Sequence, residues 1–229
     1  MHFHLPKPLH GWRAFIGEVG IIVLGVLIAL GAEQAVDDWH WNEKVAVVRK
    51  SMLRELANDR ARWEEAMTQA PCASRDIEQL DRWAAGAPGA AAPRVSLRLD
   101  ATMFWMHSAN WNLATTSQTL DHFPIEEQLA FATLYDGIAH RQVDIEKERD
   151  LLESVLTLIP LADDSQSRRE LRVTLGNLKG SIGSLVANKE YMRRHFDAVG
   201  VKPDRTDFAA DLTPGARTSR PSQLSALHP

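Results

Sequence analysis

The feature that most constrains this chain is an unbroken run of fourteen uncharged residues, Val19 to Ala32, with Glu18 and Glu33 at its ends. A helix rises about 1.5 Å per residue, so the run covers ~21 Å of the ~30 Å hydrocarbon core of a bilayer. A few more residues at each end complete a full span and include both glutamates. The run therefore predicts a transmembrane helix over residues 14–36.

Tryptophans on both sides of the run support this interpretation. Trp12 precedes it, and Trp39 and Trp41 follow it. The 27 residues from Trp12 to Trp39 correspond to about 40 Å of helix, close to the thickness of a bilayer with its headgroups. Aromatic side chains favour the two membrane interfaces, whereas a buried core helix has no need of tryptophans at this separation.

A cleaved signal peptide is the alternative interpretation of the same segment. Lys7 and Arg13 would form its charged region, and Ala29-Leu30-Gly31 would provide a small-residue cleavage site. However, Glu18 would interrupt the apolar part, and the helical pattern continues beyond the cleavage site. We therefore favour an uncleaved anchor.

The flanking charges predict the orientation of the anchor. The first thirteen residues contain Lys7 and Arg13 but no acid, whereas the first basic residue on the far side is Lys44. Positive residues favour the cytoplasmic side of a membrane. We therefore expect a short cytoplasmic segment over residues 1–13, a single-pass helix in a bacterial inner membrane, and a main domain in the periplasm.

Small residues follow Glu18 on one face of the anchor. Gly25, Ala29 and Ala32 come at successive steps of seven, four and three residues, and small residues at such spacing let two membrane helices approach closely. We therefore expect the anchor to self-associate along this face, with Glu18 bonded across the interface. In the alternative, Glu18 only favours the positive end of the helix dipole and contacts headgroup water.

The anchor also resembles a protein family. The residues that carry the resemblance are Ile16-Gly17-Glu18-Val19, Gly25-Val26-Leu27-Ile28-Ala29-Leu30 and Trp41-Asn42-Glu43. They are similar to the pattern I-G-E-I-x-L-V-x-x-G-I-L-I-A-L, followed by W-N-E, of an uncharacterised family of small bacterial single-pass membrane proteins. Here the W-N-E segment falls several residues later than in that pattern. The resemblance implies a membrane anchor with a helical domain behind it, and it supplies no activity, ligand or catalytic residue.

The sequence beyond the anchor is helical in its periodicity. Helical spacing of apolar residues continues past Trp41, and neither Gly nor Pro occurs from Glu33 to Ala70. We therefore expect the membrane helix to continue into the domain. Pro71 and its small neighbours predict a turn, followed by a short helix from Ser74 and a loop from Ala84 to Arg94.

Two further long helices are indicated. One is expected to begin at Pro124 and end near Pro160, because proline is suited to a first helical turn. The last helix has apolar residues at steps of four and three, which favours a coiled-coil-like seam. Gly176, Gly180 and Gly183 lie beside this seam and predict close approach of another helix, because an exposed helical glycine costs about 1 kcal/mol. The apolar stripe expected on the helix that begins at Pro124 consists of Ile125, Leu129, Ile138, Ile145, Leu152 and Ile159. The apolar stripe expected on the last helix consists of Leu171, Leu175, Leu178, Ile182, Leu185, Met192, Phe196 and Val199.

These patterns predict an all-α fold. A helical bundle domain is expected over residues 37–200, and a disordered tail over residues 201–229, which are polar and contain several prolines. The segment from Thr102 to Trp111 is the densest in aromatic residues. Trp105 and Trp111 would either line a ligand pocket or close one end of the bundle, and core packing is the commoner role of such residues.

Composition and motifs argue against several classes of function. The net charge of −4, without basic clusters interleaved with aromatics, disfavours nucleic acid as a partner. A single cysteine, Cys72, excludes an intramolecular disulfide. The histidines and acids lack the spacing of a metal site, and no nucleophile or phosphate-loop motif occurs. We therefore expect no metal, no cofactor and no enzymatic activity.

The leading hypothesis for function is a membrane-anchored scaffold or interaction protein, whose partners are the lipid bilayer and either further copies of the chain or another membrane protein. The alternative is a periplasmic ligand-sensing bundle with the Trp105/Trp111 region as its pocket. Only residues 1–13 would lie inside the cell, which is too short for an output domain. A sensor of this kind would therefore act through another membrane protein.

Overall fold

The computed structural model describes residues 11–86 and 102–205, and within these residues every regular element is a helix. This confirms the all-α prediction. The chain divides into two compact units between Val47 and Val48, and α1 contributes residues to both. The helices are α1 Gly11–Ala84, α2 Ala109–Thr116, α3 Ile125–Leu158, α4 Ser165–Ala187 and α5 Lys189–Ala198, with short 3-10 helices at Thr119–His122 and Ile159–Leu161.

The first unit contains the apolar part of α1. An 18-residue window of this helix has a mean hydropathy of 2.4, and no other described residue buries any part of it. Ile21, for example, is 74% exposed. The helix is therefore long and apolar enough to cross a membrane, as the sequence predicts.

The second unit is built around a core shared by the rest of α1, α3 and α4. Ala70, Ala73, Ile77 and Leu80 of α1 belong to the same buried cluster as Val155 of α3 and Leu171, Leu175, Leu178 and Ile182 of α4. The stripe expected for the last helix is buried from Leu171 to Phe196. These side chains leave water when the helices pack, which is the main source of stability in such a domain.

The turn expected at Pro71 is absent, because α1 continues through it to Ala84. Pro71 itself is exposed, so its ring does not enter the core. Its neighbours Ala70 and Ala73 are fully buried, and their packing outweighs the one helical hydrogen bond that proline cannot donate. Ser74 therefore lies inside a helix rather than at the start of one.

At the beginning of α3, the buried residues are not those of the apolar stripe that the sequence predicts. Ile125 and Leu129 are 58% and 62% exposed, whereas Phe131, Leu134, Tyr135, Ile138 and Ile145 are buried. The first turn is instead held by polar contacts, because Glu127 accepts a 2.8 Å bond from Arg49 and Gln128 donates to the Phe123 carbonyl.

The glycines of α4 lie on its exposed face, and none of the described helices makes the close contact that the sequence predicts there. A Cβ placed on Gly176, Gly180 or Gly183 would meet nothing within 4 Å. The close approach occurs instead at Gly137 of α3, where a Cβ would lie 3.0 Å from the Met192 sulfur. The last helix is also divided at Asn188 into α4 and α5.

The chain stays on the domain for several residues after α5. Gly200 has φ +71°, a left-handed conformation that suits glycine at a helix end, and the Val201 N–H donates to the Phe196 carbonyl. Val201 is buried, and the Asp204 N–H donates to the Ala57 carbonyl. Residues 206–229 of the expected tail and residues 87–94 of the expected loop lie outside the described part of the chain.

Candidate functional site

The residues predicted for self-association lie on exposed parts of the first unit. Glu18, Gly25, Ala29 and Ala32 are all exposed, and a Cβ on Gly25 would meet nothing within 4 Å. No element of the described part of the chain covers this face. The structure therefore leaves the face available, and the predicted association remains a prediction.

The tryptophans predicted for the membrane interfaces are in the same unit. Trp12 and Trp39 are 75% and 62% exposed, and Trp41 is half-buried. Trp12 stacks on Phe15, and the Lys44 ammonium lies 4.6 Å from the Trp41 ring. A lysine beside a tryptophan is a combination typical of the polar edge of a membrane.

Trp105 and Trp111 contact different residues of α3. The Arg149 guanidinium lies over the Trp105 ring at 5.1 Å, and Trp111 stacks on the Tyr135 ring at 5.0 Å. Tyr135 and Arg149 are fourteen residues apart on α3, or about 21 Å along its axis. The two rings therefore pack against separate parts of α3.

The most unusual group in the second unit is the carboxylate of Asp59, which is fully buried on α1. One of its oxygens accepts the main-chain N–H of His107 at 2.9 Å, and the other lies 3.2 Å from Nδ1 of the same residue. Burial raises the pKa of Asp59 to about 6, although its bonds with His107 act in the opposite direction. The His107 side chain is 56% exposed, so it connects a buried acid to solvent.

One turn earlier on α1, Glu55 binds the same segment. Its Oε2 accepts both the main-chain N–H and the side-chain amide of Asn110, each at 3.0 Å. Its Oε1 accepts the Tyr135 hydroxyl at 2.9 Å. Burial and the adjacent Glu55 carboxylate raise the pKa of Tyr135, so the phenol stays protonated and donates.

Glu55 also completes the start of α2. Asn110 is the second residue of that helix, and the Ser108 side chain at the N-cap makes no capping bond. The first N–H groups of a helix have no partner within the helix. A carboxylate from α1 takes the part that a capping side chain usually plays, so α2 depends on α1 for its first turn.

A second buried polar group lies on α3. Arg141 donates to both carboxylate oxygens of Glu148, at 2.8 and 2.9 Å, and to the Thr102 carbonyl at 2.8 Å. The Ser181 hydroxyl donates to Glu148 as well. A charge-assisted pair of this kind fixes the start of the 102–108 segment against α3.

The Asp59–His107 pair joins a buried carboxylate to an exposed imidazole. A buried acid that contacts Nδ1 also orients the histidine ring. Among the described residues no cluster of three His, Cys, Asp or Glu side chains is placed to hold a metal ion.

A cleft of about 370 Å³ opens where α4 passes into α5. It is lined by Trp63 of α1, by Gly137 and His140 of α3, and by Tyr191 and Met192 of α5. Its size is within the range of small-molecule sites. It lies at a different place from the predicted Trp105/Trp111 pocket.

Sequence reasoning missed Asp59, Glu55, His107 and the Arg141–Glu148 pair. The sequence does mark Asp59 and Arg141 as core positions of their helices. Asp59 lies three residues after the apolar Leu56 and four before the apolar Trp63. Arg141 likewise falls between Ile138 and Ile145. Charged residues at core positions of a helix are rare unless they are paired.

Comparison with protein-family models, with curated proteins and with solved structures finds no match for this chain. The resemblance of residues 16–43 to the single-pass family therefore stays an expectation.

Proposed function

We propose that this protein is a membrane-anchored scaffold or interaction protein that holds a helical domain at the surface of a bacterial inner membrane. The observation that supports the proposal is the 18-residue apolar window of α1, which no other described residue buries. An exposed apolar surface of this length needs a covering, and a lipid bilayer provides one.

The orientation in the proposal rests on the charge flanks. Lys7 and Arg13 precede the anchor, and acids dominate the first residues after it up to Lys44. We therefore propose that the amino terminus lies in the cytoplasm and the helical domain in the periplasm. A reporter that is active only in the periplasm, fused after Arg205, should be active, and a cytoplasm-only reporter at the same site should be inactive. The reverse pattern would contradict the orientation.

The partner in the proposal is a second copy of the chain, which contacts the first along Glu18, Gly25, Ala29 and Ala32. Small exposed residues let two helices approach closely in lipid, and a carboxylate within the membrane favours a hydrogen-bonding partner. In a membrane two-hybrid assay, Gly25→Leu and Glu18→Leu should each weaken association. Leu24→Ala is the matched control, because Leu24 is exposed on another face of the helix.

Normal association of the Glu18→Leu variant would assign Glu18 to the helix dipole and the interface alone. Equal association of all three variants would reject this face as the contact. Crosslinking that captures a different membrane protein and no second copy would support recruitment of a partner instead of self-association.

A ligand-sensing bundle is the second candidate function, and the cleft at the α4–α5 junction favours it. The break at Asn188 leaves Tyr191 and Met192 on a separate short helix that faces Gly137. A ligand in the cleft would contact two helices that are joined by a single residue. A thermal-shift screen of metabolites on the full chain in detergent tests this candidate, and a shift that Tyr191→Ala abolishes would support it. Retention of that shift would place the ligand elsewhere.

A further inference from the structure

The cleft at the α4–α5 junction has an apolar interior. Trp63, Leu185 and Met192 line it and are all buried, and Gly137 contributes no side chain. A Cβ on Gly137 would lie 3.0 Å from the Met192 sulfur, so any larger residue there would narrow the cleft. The interior therefore suits the apolar group of a small ligand.

One face of α3 brings charged side chains to the same cleft. Asp136, His140 and Asp144 line it and follow one another at steps of four residues, so they project from successive turns on one side of the helix. The Asp136 and Asp144 side chains are 70% and 45% exposed, so both carboxylates are accessible to a ligand that enters from solvent.

The positive groups nearby do not neutralise these two aspartates. Arg141 also lines the cleft, but it donates to both oxygens of the buried Glu148, so its charge is balanced within that pair. The Lys147 ammonium lies 3.5 Å from Asp144 and is 68% exposed, and such surface pairs are weak. His140 adds at most one positive charge against two carboxylates. The lining is therefore negative in either protonation state of His140.

Two aromatic side chains also line the cleft. Trp63 belongs to α1 and Tyr191 to α5. An aromatic ring attracts a cation that reaches its face, and the attraction is larger where water is excluded. Carboxylates beside aromatic rings and buried apolar side chains match a ligand that is both apolar and positively charged.

We propose that the cleft binds a small organic cation, in which an ammonium group is attached to an aryl or alkyl group. The ammonium lies at Asp136 and Asp144, and the apolar group packs against Trp63, Leu185 and Met192. The proposal rests on the ligand-sensing candidate and gives that candidate a ligand class. An uncharged compound of the same shape lacks the charge complementarity and binds more weakly.

Isothermal titration calorimetry of the full chain in an uncharged detergent at neutral pH tests this ligand class. The probes are phenethylamine and its uncharged analogue phenethyl alcohol. Phenethylamine should bind, and phenethyl alcohol should bind about tenfold more weakly, because it lacks the ion pairs and the cation–ring attraction. Asp136→Asn and Asp144→Asn should each weaken amine binding about two- to fivefold and leave alcohol binding unchanged, because each removes a charge at nearly constant shape.

The matched control is Asp150→Asn, which removes an exposed aspartate from α3 outside the cleft. It should leave the affinity for phenethylamine unchanged. Amine binding that Asp136→Asn and Asp144→Asn both leave unchanged would overturn the proposal, and so would the absence of amine binding to the full chain.

Failure of the ligand class is distinguishable from failure of the sensing candidate. Equal binding of both probes that Tyr191→Ala abolishes would reject the cationic class and keep the cleft as a ligand site. If phenethylamine does not bind, the metabolite screen still decides the sensing candidate, because that screen does not depend on ligand charge.

Discussion

Replacement of Arg141 by methionine should be among the most destabilising single changes in the helical domain. Arg141 is 7% exposed and Glu148 is fully buried, so the substitution leaves a buried carboxylate without its counter-charge. It also removes two bonds to that carboxylate and one to the Thr102 carbonyl. Loss of one partner from a buried ion pair costs about 3–5 kcal/mol.

The double variant Arg141→Met/Glu148→Leu should be more stable than Arg141→Met alone. Removal of both charges eliminates the stranded carboxylate, and apolar replacement of a buried pair is close to neutral in free energy. The Thr102 carbonyl and the Ser181 hydroxyl still lose a partner, so we expect a residual loss of about 1–3 kcal/mol.

Denaturant unfolding of the full chain in mild detergent, followed by circular dichroism at a helical wavelength, gives both free energies. A loss below about 1 kcal/mol in Arg141→Met would show that the pair contributes little to folding. A double variant that is less stable than the single one would contradict the reasoning on the stranded charge.

The glycines provide two further predictions with opposite signs. Gly180→Ala should raise the free energy of unfolding by up to about 1 kcal/mol, because the position is open and alanine is the better helix former. An equal or lower melting temperature would mean that another element covers this face. Gly137→Leu should lower the free energy of unfolding by about 1–3 kcal/mol through overpacking against Met192, and an unchanged melting temperature would contradict the close approach. Asp164→Ala should cost about 1 kcal/mol, because Asp164 caps α4 by accepting the Gln166 and Ser167 N–H groups; an intact melting temperature would mean that the cap is dispensable.

Periodicity predicted the helices well where apolar residues are dense. The stripe from Leu171 to Phe196 was identified from spacing alone and is buried. The beginning of α3 was misassigned because Ile125 and Leu129 continue the apolar period, while the packing there is set by Arg49 and Glu127. Spacing shows which residues share a face, and it does not show which partner covers that face.

The glycines of α4 illustrate a second limit. Gly176 and Gly183 follow the buried Leu175 and Ile182 by one residue each, so they repeat the heptad period on a neighbouring, exposed face. A stripe of small residues next to a seam therefore resembles a contact surface in sequence. Gly137, the glycine that does approach another helix, is isolated in the sequence and has no pattern to indicate it.

The buried polar groups were missed because periodicity counts only apolar residues. Asp59 and Arg141 occupy core steps of their helices, and both look like solvated charges when they are considered singly. Their partners His107 and Glu148 become evident only after the helices are packed. Proline usually breaks a helix, so the sequence predicts a turn at Pro71, yet the buried residues beside it maintain α1.

The most direct test of the membrane-anchored account is the intact mass of the chain recovered from bacterial membranes after an alkaline carbonate wash. The account predicts that the protein stays in the washed membranes and that its mass includes the anchor, residues 14–36. A soluble periplasmic protein whose mass corresponds to a chain beginning after Gly31 would contradict the account and would establish a cleaved signal peptide instead.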